Sequence, residues 1–213
     1  MRQFDFSDEI DLWRDTRDTV LAAWRDEAVH VYPQTPTRGG PRWFLRTGHE
    51  PNRTGQRVLF IGMNPSSATA FATRPHGGDP TIEAILELLD TPKFDLVGEY
   101  QRLCIVNLVP IINSRSKDVG NAWNSMTHNA ELCDLNLEVC RWAIEWADVI
   151  IPMWGGSMNK SEFTWKKEPS ETIERLIRKY DKSAFAFKNR DNTPTHCAYG
   201  NWNRRQLVAF PFH

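Results

Sequence analysis

The sequence predicts an α/β fold, a single-domain three-layer αβα sandwich built around a central four-stranded parallel sheet. Short apolar runs alternate with segments of helical periodicity along most of the chain, which is the pattern of strands covered by helices on both faces. The clearest run, at residues 58–62, breaks abruptly into Met-Asn-Pro-Ser-Ser. An apolar run bounded by turn residues is typical of a strand buried on both faces, hence of a central parallel strand.

The first elements are predicted from periodicity and from capping residues. Residues 8–28 have the spacing of an amphipathic helix. A segment rich in Pro, Gly, Thr and Arg follows at residues 30–57, with a short edge strand predicted at 43–45. After the first central strand, Asp79 and Pro80 have the residue types preferred at the N-cap and the first position of a helix.

The remaining elements alternate in the same way. Apolar runs predict strands at 103–106, 149–154 and 184–187, and helical spacing predicts helices at 128–146 and 169–180. We therefore expect one domain over the whole chain.

The chain is expected to divide into an N-terminal helix and loop at residues 1–41 and an α/β core at 42–213. With 213 residues, 40% hydrophobic and 25% charged, its composition is that of an ordinary globular domain. The N-terminus lacks the apolar core of a signal peptide, and no apolar run approaches membrane-spanning length. We expect a cytoplasmic monomer that has no membrane partner.

The four cysteines show no spacing typical of a metal site. Cys133 and Cys140 lie on one face of a predicted helix, where packing in the core is the favoured interpretation. No metal and no cofactor is therefore expected.

Charge is unevenly distributed along the chain. The formal net charge is −1, but residues 1–154 carry −6 and residues 155–213 carry +5. A basic C-terminal quarter is compatible with an edge that faces phosphate. By charge alone, a solvated surface is the favoured alternative.

Polar or aromatic residues follow the four predicted strands: Asn64, Asn107, Trp154 with Gly155, and His196. Because carboxyl ends of parallel strands meet at one edge, these residues are expected to line one crevice. Each has a simpler alternative, since asparagine often caps turns, a single histidine is often a surface residue, and a tryptophan can close the end of a sheet. Their shared position favours a site.

The residue types at this edge suit one chemistry better than others. The sequence contains no P-loop, no G-x-G-x-x-G, no G-x-S-x-G and no H-E-x-x-H motif. An asparagine amide can read the edge of a nucleobase or hold a water molecule. A histidine can donate a hydrogen bond to a departing group. These groups fit cleavage of an N-glycosidic bond.

Four motifs resemble the uracil-DNA glycosylase superfamily, in the same order along the chain. They are Gly62-Met63-Asn64-Pro65, Ile105-Val106-Asn107, the strand that ends in Trp154-Gly155, and Thr195-His196. A closer resemblance, over about residues 42–200, is to a bacterial and phage family of unknown function with an N-P-S…D-P-T-I signature. Here that signature reads Asn64-Pro65-Ser66 and Asp79-Pro80-Thr81-Ile82.

The resemblance implies a uracil-DNA glycosylase-like fold and a role for each matched residue. Asn64 would position or polarise the attacking water, and His196 would stabilise the departing base or contact the target phosphate. Base-binding residues would be Asn107, Met63, Phe71 and Trp154. Residues that bind DNA phosphate would be Ser66, Ser67, Arg190 and Arg204.

Departures from the superfamily pattern modify the expected chemistry. Cys197 replaces the proline of the His-Pro-Ser loop, so the rigidity of that loop is in question. The first motif carries Asn64 rather than aspartate, which argues against a strong general base. The tyrosine that blocks a 5-substituent is not matched, so the small residues after Pro65 leave room for a bulky one.

The sequence therefore predicts a monofunctional DNA glycosylase that flips a modified, 5-substituted pyrimidine and leaves an abasic site. Phage DNA contains such bases, so antiviral defence is a specific possibility beside DNA repair. We expect no lyase activity, because no lysine falls in the four loops near the motif residues. Two alternatives stay open: a hydrolase or transferase acting on free nucleosides or nucleotides, and a non-catalytic nucleic-acid-binding module.

Overall fold

The computed structural model describes residues 15–50, 52–66, 68–72, 79–113, 119–120, 130–155, 165–189, 192–196 and 206–211. Its strands are β1 (Val31–Tyr32), β2 (Phe44–Arg46), β3 (Gln56–Gly62), β4 (Tyr100–Asn107), β5 (Val149–Pro152), β6 (Ser183–Phe187) and β7 (Leu207–Ala209). Its helices are α1 (Arg17–Arg25), α2 (Pro80–Leu89), α3 (Ala130–Trp146) and α4 (Lys167–Lys179), with a 3₁₀ helix at Pro92–Leu96. None of these helices is long and apolar enough to cross a membrane.

The α/β class is confirmed, and the sheet is larger than predicted. Seven strands pair in the order β1-β2-β4-β3-β5-β6-β7. The neighbours β4, β3, β5 and β6 run parallel, whereas β1, β2 and β7 pair antiparallel. The predicted four-stranded parallel sheet is thus a mixed seven-stranded sheet, because strands of two or three residues carry no periodicity that a sequence pattern reveals. The segment predicted as an edge strand is β2, which lies between β1 and β4.

Alternate residues of β3 face two separate hydrophobic clusters. Leu59 and Ile61 pack with residues of α1, α3 and α4, whereas Val58 and Phe60 pack with residues of α2 and the 3₁₀ helix. All four side chains are fully buried, so the predicted burial on both faces is confirmed. We call these two sides the α3 face and the α2 face; together with the sheet they form three layers.

Helix α2 begins as the sequence predicts. Asp79 is its N-cap, and one carboxylate oxygen, Oδ1, accepts a hydrogen bond of 2.9 Å from the backbone N–H of Thr81. Pro80 occupies the first helical position, where a missing N–H costs nothing. Because α2 follows the loop after β3, its N-terminus lies towards the carboxyl edge of the sheet.

Helix α1 is attached to the sheet by a buried arginine. Arg46 donates hydrogen bonds to the carbonyls of Val29 at 2.7 Å, Trp24 at 2.9 Å and Ala23 at 3.3 Å, and to that of Asp26. Its guanidinium also lies 5.0 Å from the centre of the Phe44 ring. The last carbonyls of a helix have no partner within it, so this side chain satisfies them and fixes the end of α1. The helix predicted at 8–28 is α1, which begins at Arg17 and ends at Arg25, three residues earlier than predicted; residues 8–14 lie outside the described residues.

Three cysteines lie in the described chain. Cys104 and Cys140 are buried and Cys133 is half-buried. Burial raises the pKa of the Cys104 and Cys140 thiols to about 12, so both are protonated and unreactive at neutral pH. The expected packing of the α3 cysteines in the core is confirmed for Cys140.

Replacing Arg46 is expected to destabilise the fold. Arg46→Met keeps the length of the side chain but leaves several helix-end carbonyls without a donor, so the free energy of unfolding should fall by about 2–4 kcal/mol. Urea unfolding followed by circular dichroism measures the change. Arg141→Met is the matched control, since Arg141 is more exposed and forms its ion pairs with Glu138 and Glu145 on its own helix, so its replacement should cost less than about 1 kcal/mol. Equal losses at the two positions would contradict the role of Arg46.

Candidate functional site

The strands β3 and β4 stay paired beyond their last residues. Gly62 and Asn107 are partners in the parallel register. After them, the Leu108 N–H donates to the Gly62 carbonyl at 2.9 Å and the Val109 N–H donates to the Met63 carbonyl at 3.1 Å. The loops that carry the first two motifs therefore run side by side, as the position of both asparagines at strand ends predicts.

Asn64 connects these two loops and keeps one acceptor free of protein bonds. Its Nδ2 donates to the carbonyls of Asn113 at 2.7 Å and Pro65 at 3.2 Å. Its Oδ1 accepts no hydrogen bond from the part of the chain that the structure describes. The side chain thus stabilises the turn, as the simpler alternative holds, and also presents a fixed oxygen to which a water molecule can donate.

Asn107 is a buried amide whose nitrogen finds no partner among the described residues. The residue is 3% exposed, and its Nδ2 makes no hydrogen bond to the part of the chain that the structure describes. Its Oδ1 lies 2.6 Å from the position that a Cβ would take at Gly62, and the Met153 Cε lies 3.7 Å from the same position. Strand alternation places this side chain on the α2 face. A buried unsatisfied donor costs about 1–3 kcal/mol, so this group calls for an acceptor, which an ordered water or a ligand can supply.

A buried arginine that the sequence did not reveal holds the loop after β3. Arg42 is 2% exposed, and its Nη1 donates to the carbonyls of Ser66 at 3.1 Å and Ala68 at 3.0 Å. Its Nε is buried and has no hydrogen-bond partner. Burial lowers the pKa of Arg42 to about 10, and the negative charge of Asp79 opposes that change. Arg42 therefore remains a cation at neutral pH, close to both the loop and Asp79.

His196 comes together with the end of β5, as predicted. Gly155 has a φ of +78°, and a Cβ at this residue would lie 3.5 Å from the His196 Cβ. Burial lowers the pKa of His196 to about 4; the charge of Lys166 lowers it further, and that of Asp79 raises it. At neutral pH the imidazole is therefore uncharged, and it acts as a hydrogen-bond donor rather than as a protonated acid.

The loop that presents His196 is organised by Asn189, which the sequence analysis missed. The Asn189 Nδ2 donates to the Thr193 Oγ1 at 3.2 Å and to the Pro194 carbonyl at 3.1 Å, and its Oδ1 accepts from the Thr195 Oγ1 at 3.0 Å. These bonds give the loop an internal support before His196. The sequence feature that could have indicated this role is an asparagine at the start of a turn-rich segment, since asparagine side chains often stabilise turns. Cys197, in the place of the expected proline, lies outside the described residues.

A lysine lies beside the motif residues, which corrects the expectation that none does. Lys166 is 2% exposed, and its Nζ donates to the Trp154 carbonyl at 3.4 Å. Its charge also acts on His196. The expectation failed because Lys166 itself lies in the loop between β5 and α4, twelve residues after Trp154, and the sequence does not show that it is buried against that strand end.

The other predicted base-binding residues divide between the two faces of the sheet. Trp154 is fully buried on the α3 face, edge-on to Phe210 with ring centres 5.7 Å apart. Met63 is buried in the same cluster, whereas the partly buried Phe71 packs on the α2 face. Phe71 thus lies on the same face of the sheet as the Asn107 side chain. Trp154 instead closes the end of the sheet, which is the simpler of the two interpretations of this residue. The indole N–H of Trp154 is buried without a partner.

Of the predicted phosphate-binding residues, only Ser66 is described. Its Oγ accepts a hydrogen bond of 3.4 Å from the Ala68 N–H, and its carbonyl accepts from Arg42. Ser67, Arg190 and Arg204 lie outside the described residues. Within the described ranges, no three His, Cys, Asp or Glu side chains come together as a metal ion would require.

A cavity of about 380 Å³ lies between α3 and α4, lined by Leu108, Cys133, Asn136 and Ile173 among others. The Asn136 Nδ2 donates to the Leu108 carbonyl at 2.8 Å and the Asn107 carbonyl at 3.4 Å. The cavity therefore lies behind the backbone of Asn107 and on the face opposite its side chain. It is distinct from the cluster of Arg42, Asp79 and His196, in which the charge of Asp79 acts on the other two residues.

Comparison with protein families gives a match over most of the chain. The family model described as Protein of unknown function (DUF1643) matches residues 42–197. The chain belongs to this family. No curated protein and no solved structure matches the chain. The DUF1643 match carries no link to the uracil-DNA glycosylase superfamily, so that resemblance stays a hypothesis.

Acid should destabilise this DUF1643 chain through His196. Because its folded pKa of about 4 lies below the ordinary 6.5, the unfolded chain binds a proton between these values that the folded chain does not. Stability from this group is complete above pH 6.5 and is lost as the pH falls to 4, by about 3 kcal/mol.

Urea unfolding of the wild type and of His196→Gln from pH 7.5 to 4 measures this effect. The difference in unfolding free energy between them should change over the interval, whereas exposed His30→Gln should follow the wild type. A constant difference would contradict the burial of a neutral imidazole.

Gly62→Ala should destabilise the protein through Asn107. The new Cβ would lie 2.6 Å from the Asn107 Oδ1, so the amide must move, at an expected cost of about 1–3 kcal/mol. In the Asn107→Ala background the contact is gone, and Gly62→Ala should cost much less. Unfolding of the four proteins gives the coupling energy, and additive effects would refute the contact.

Proposed function

We propose that the chain is a monofunctional DNA glycosylase, with a uracil-DNA glycosylase-like fold, that flips a pyrimidine with a bulky 5-substituent and hydrolyses its N-glycosidic bond. The observation that carries the proposal is the buried amide of Asn107, which has no partner for its Nδ2 at the carboxyl edge of the sheet. An N–H donor of this kind requires an acceptor, and a pyrimidine offers ring nitrogen and carbonyl oxygen acceptors on its edge.

Other features of the same edge support a modified base. The described part of the loop after Pro65 continues with Ser66 and Ala68, whose small side chains would obstruct a 5-substituent less than larger residues would. Phe71 lies on the same face and offers an aromatic surface for stacking. Glycosylases extrude the target base into a pocket and read its edge there, which agrees with an amide buried beneath the sheet edge.

The proposed reaction uses the neutral polar groups of the site. The Asn64 Oδ1 accepts a hydrogen bond from the attacking water, and the neutral imidazole of His196 donates one to an oxygen of the departing base. The water oxygen bonds to C1′ of the sugar while the bond from C1′ to the base nitrogen breaks. Two buried cations, Arg42 and Lys166, supply positive potential near the negative charge that develops on the base.

Water is a better nucleophile here than the newly found lysine. Lys166 is buried, and its Nζ is bonded to the Trp154 carbonyl, whereas a Schiff base requires a free, neutral amine at C1′. The product is therefore an abasic site with an intact strand. We propose a role in defence against phages with modified DNA, with DNA repair as the alternative context, in a cytoplasmic monomer.

Base release from modified DNA tests the proposal. The protein is incubated with unmodified, uracil-containing and hypermodified phage DNA, and abasic sites are converted to strand breaks by alkali. Breaks are expected in hypermodified DNA only. Asn107→Ala should lower the rate by at least about 10²-fold, as for the loss of a positioned hydrogen-bonding group, whereas Asn52→Ala, an exposed asparagine before β3, should not change it.

Other results of the same experiment would support one of the alternative functions. Release of base from free modified nucleosides at the same rate would indicate a nucleoside hydrolase. Binding of modified DNA without release of base would indicate a binding module. Strand breaks before alkali, with protein trapped on DNA by borohydride, would indicate a lyase and contradict the monofunctional mechanism.

A further inference from the structure

We propose that Asp79 is the general base of this site, the group that accepts the proton of the attacking water. The inference rests on the proposed glycosidic hydrolysis and adds a residue that neither the motifs nor the resemblance assigned to the chemistry. In the sequence, Asp79 is only a helix N-cap.

The carboxylate of Asp79 is held in place by one oxygen and leaves the other available. Its Oδ1 accepts from the Thr81 N–H at 2.9 Å, which fixes the side chain at the N-terminus of α2. The second oxygen makes no hydrogen bond to any residue that the structure describes. Asp79 is half-buried, so this oxygen is partly shielded from bulk water and still reachable.

Asp79 belongs to the same cluster as the other proposed groups. Its charge acts on both Arg42 and His196, and Arg42 is bonded to the carbonyls of Ser66 and Ala68, in the loop that carries Asn64. The buried guanidinium thus interacts with the carboxylate by charge and with the loop of Asn64 by hydrogen bonds. His196 in turn lies against Gly155, at the end of the next parallel strand.

The cluster needs such a group, because no other proposed residue can accept a proton and keep its role. The amide of Asn64 does not act as a base at neutral pH, the imidazole of His196 is required as a donor, and Arg42 and Lys166 are cations. A carboxylate that moves a proton typically accelerates a reaction by about 10²–10⁴-fold.

In the proposed step, the water molecule gives a proton to the second oxygen of Asp79 while the water oxygen bonds to C1′. The bond between C1′ and the base nitrogen breaks, and its electron pair leaves with the base. The proton on Asp79 then passes to the released base, so the products are the abasic sugar, the free base and an ionised Asp79.

One substitution separates this role from capping. Asn caps helices as well as Asp does, so Asp79→Asn keeps the cap and removes the carboxylate. If Asp79 only caps α2, the variant should cleave modified DNA at the wild-type rate. If Asp79 is the base, the single-turnover rate of base release should fall by about 10²–10⁴-fold while the affinity for modified DNA stays within about threefold, since a base contributes little to ground-state binding.

Chemical rescue gives a second measurement, and its result should show no rescue if Asp79 only caps α2. Gly is also tolerated at an N-cap, and Asp79→Gly leaves space for a small carboxylate. Added formate should restore base release in Asp79→Gly in a concentration-dependent manner and leave Asp79→Asn unchanged. Asp90→Asn, at the other end of α2, is the matched control and should match the wild type throughout.

The outcomes distinguish this inference from the proposed function. A wild-type protein that releases no base from any DNA or nucleoside overturns both. An active wild type with an equally active Asp79→Asn overturns the general base alone and leaves the glycosylase in place. If Asp79→Asn is slow but formate does not rescue Asp79→Gly, the carboxylate is required for another reason than proton transfer, and the inference is wrong.

Discussion

The missing side chain at Gly62 is the constraint on which the carboxyl edge of the sheet depends. Gly62 is paired in register with Asn107 on the neighbouring strand, and the Asn107 Oδ1 occupies the space that a Cβ would need. A larger residue would displace the amide and separate the two strand ends. Since the loops after both strands continue from this pair, the positions of Asn64, of the Arg42 guanidinium and of the α2 N-terminus all follow from it.

Buried cations fix the segments around the sheet, and they do so mainly through carbonyls. Arg42 and Arg46 donate to the backbone of a loop and of a helix end, and Lys166 donates to the end of a strand. A buried charge without partners is very costly, and several carbonyl dipoles provide compensation without a second buried charge. At the carboxyl edge the charge of Lys166 adds to the effect of burial, which is the main reason why the pKa of the nearby His196 is low and its imidazole stays neutral.

The sequence predicts the parts of this protein that local patterns encode. The runs of β3 to β6, the cap at Asp79 and the meeting of strand ends could all be recognised, because burial, capping and parallel pairing leave periodic or positional signals. The strands β1 and β7 were not recognised, since two or three residues show no period; β2, which is as short, was predicted from an apolar run at 43–45. Arg42 and Lys166 were missed for a different reason: the burial of a long charged side chain depends on segments remote in the chain. The role of Asn107 was predicted from its position, but its unpaired nitrogen required the structure.

The paired loops at the carboxyl edge also bear on how such a protein can change over time. Their path is set by backbone bonds, such as those from Leu108 to Gly62 and from Val109 to Met63, and backbone bonds do not depend on side-chain identity. Residues whose side chains point away from this pairing are therefore free to vary without loss of the loop conformation. Substitutions of these side chains can thus change the chemical character of this edge one residue at a time, while the scaffold that supports it stays folded.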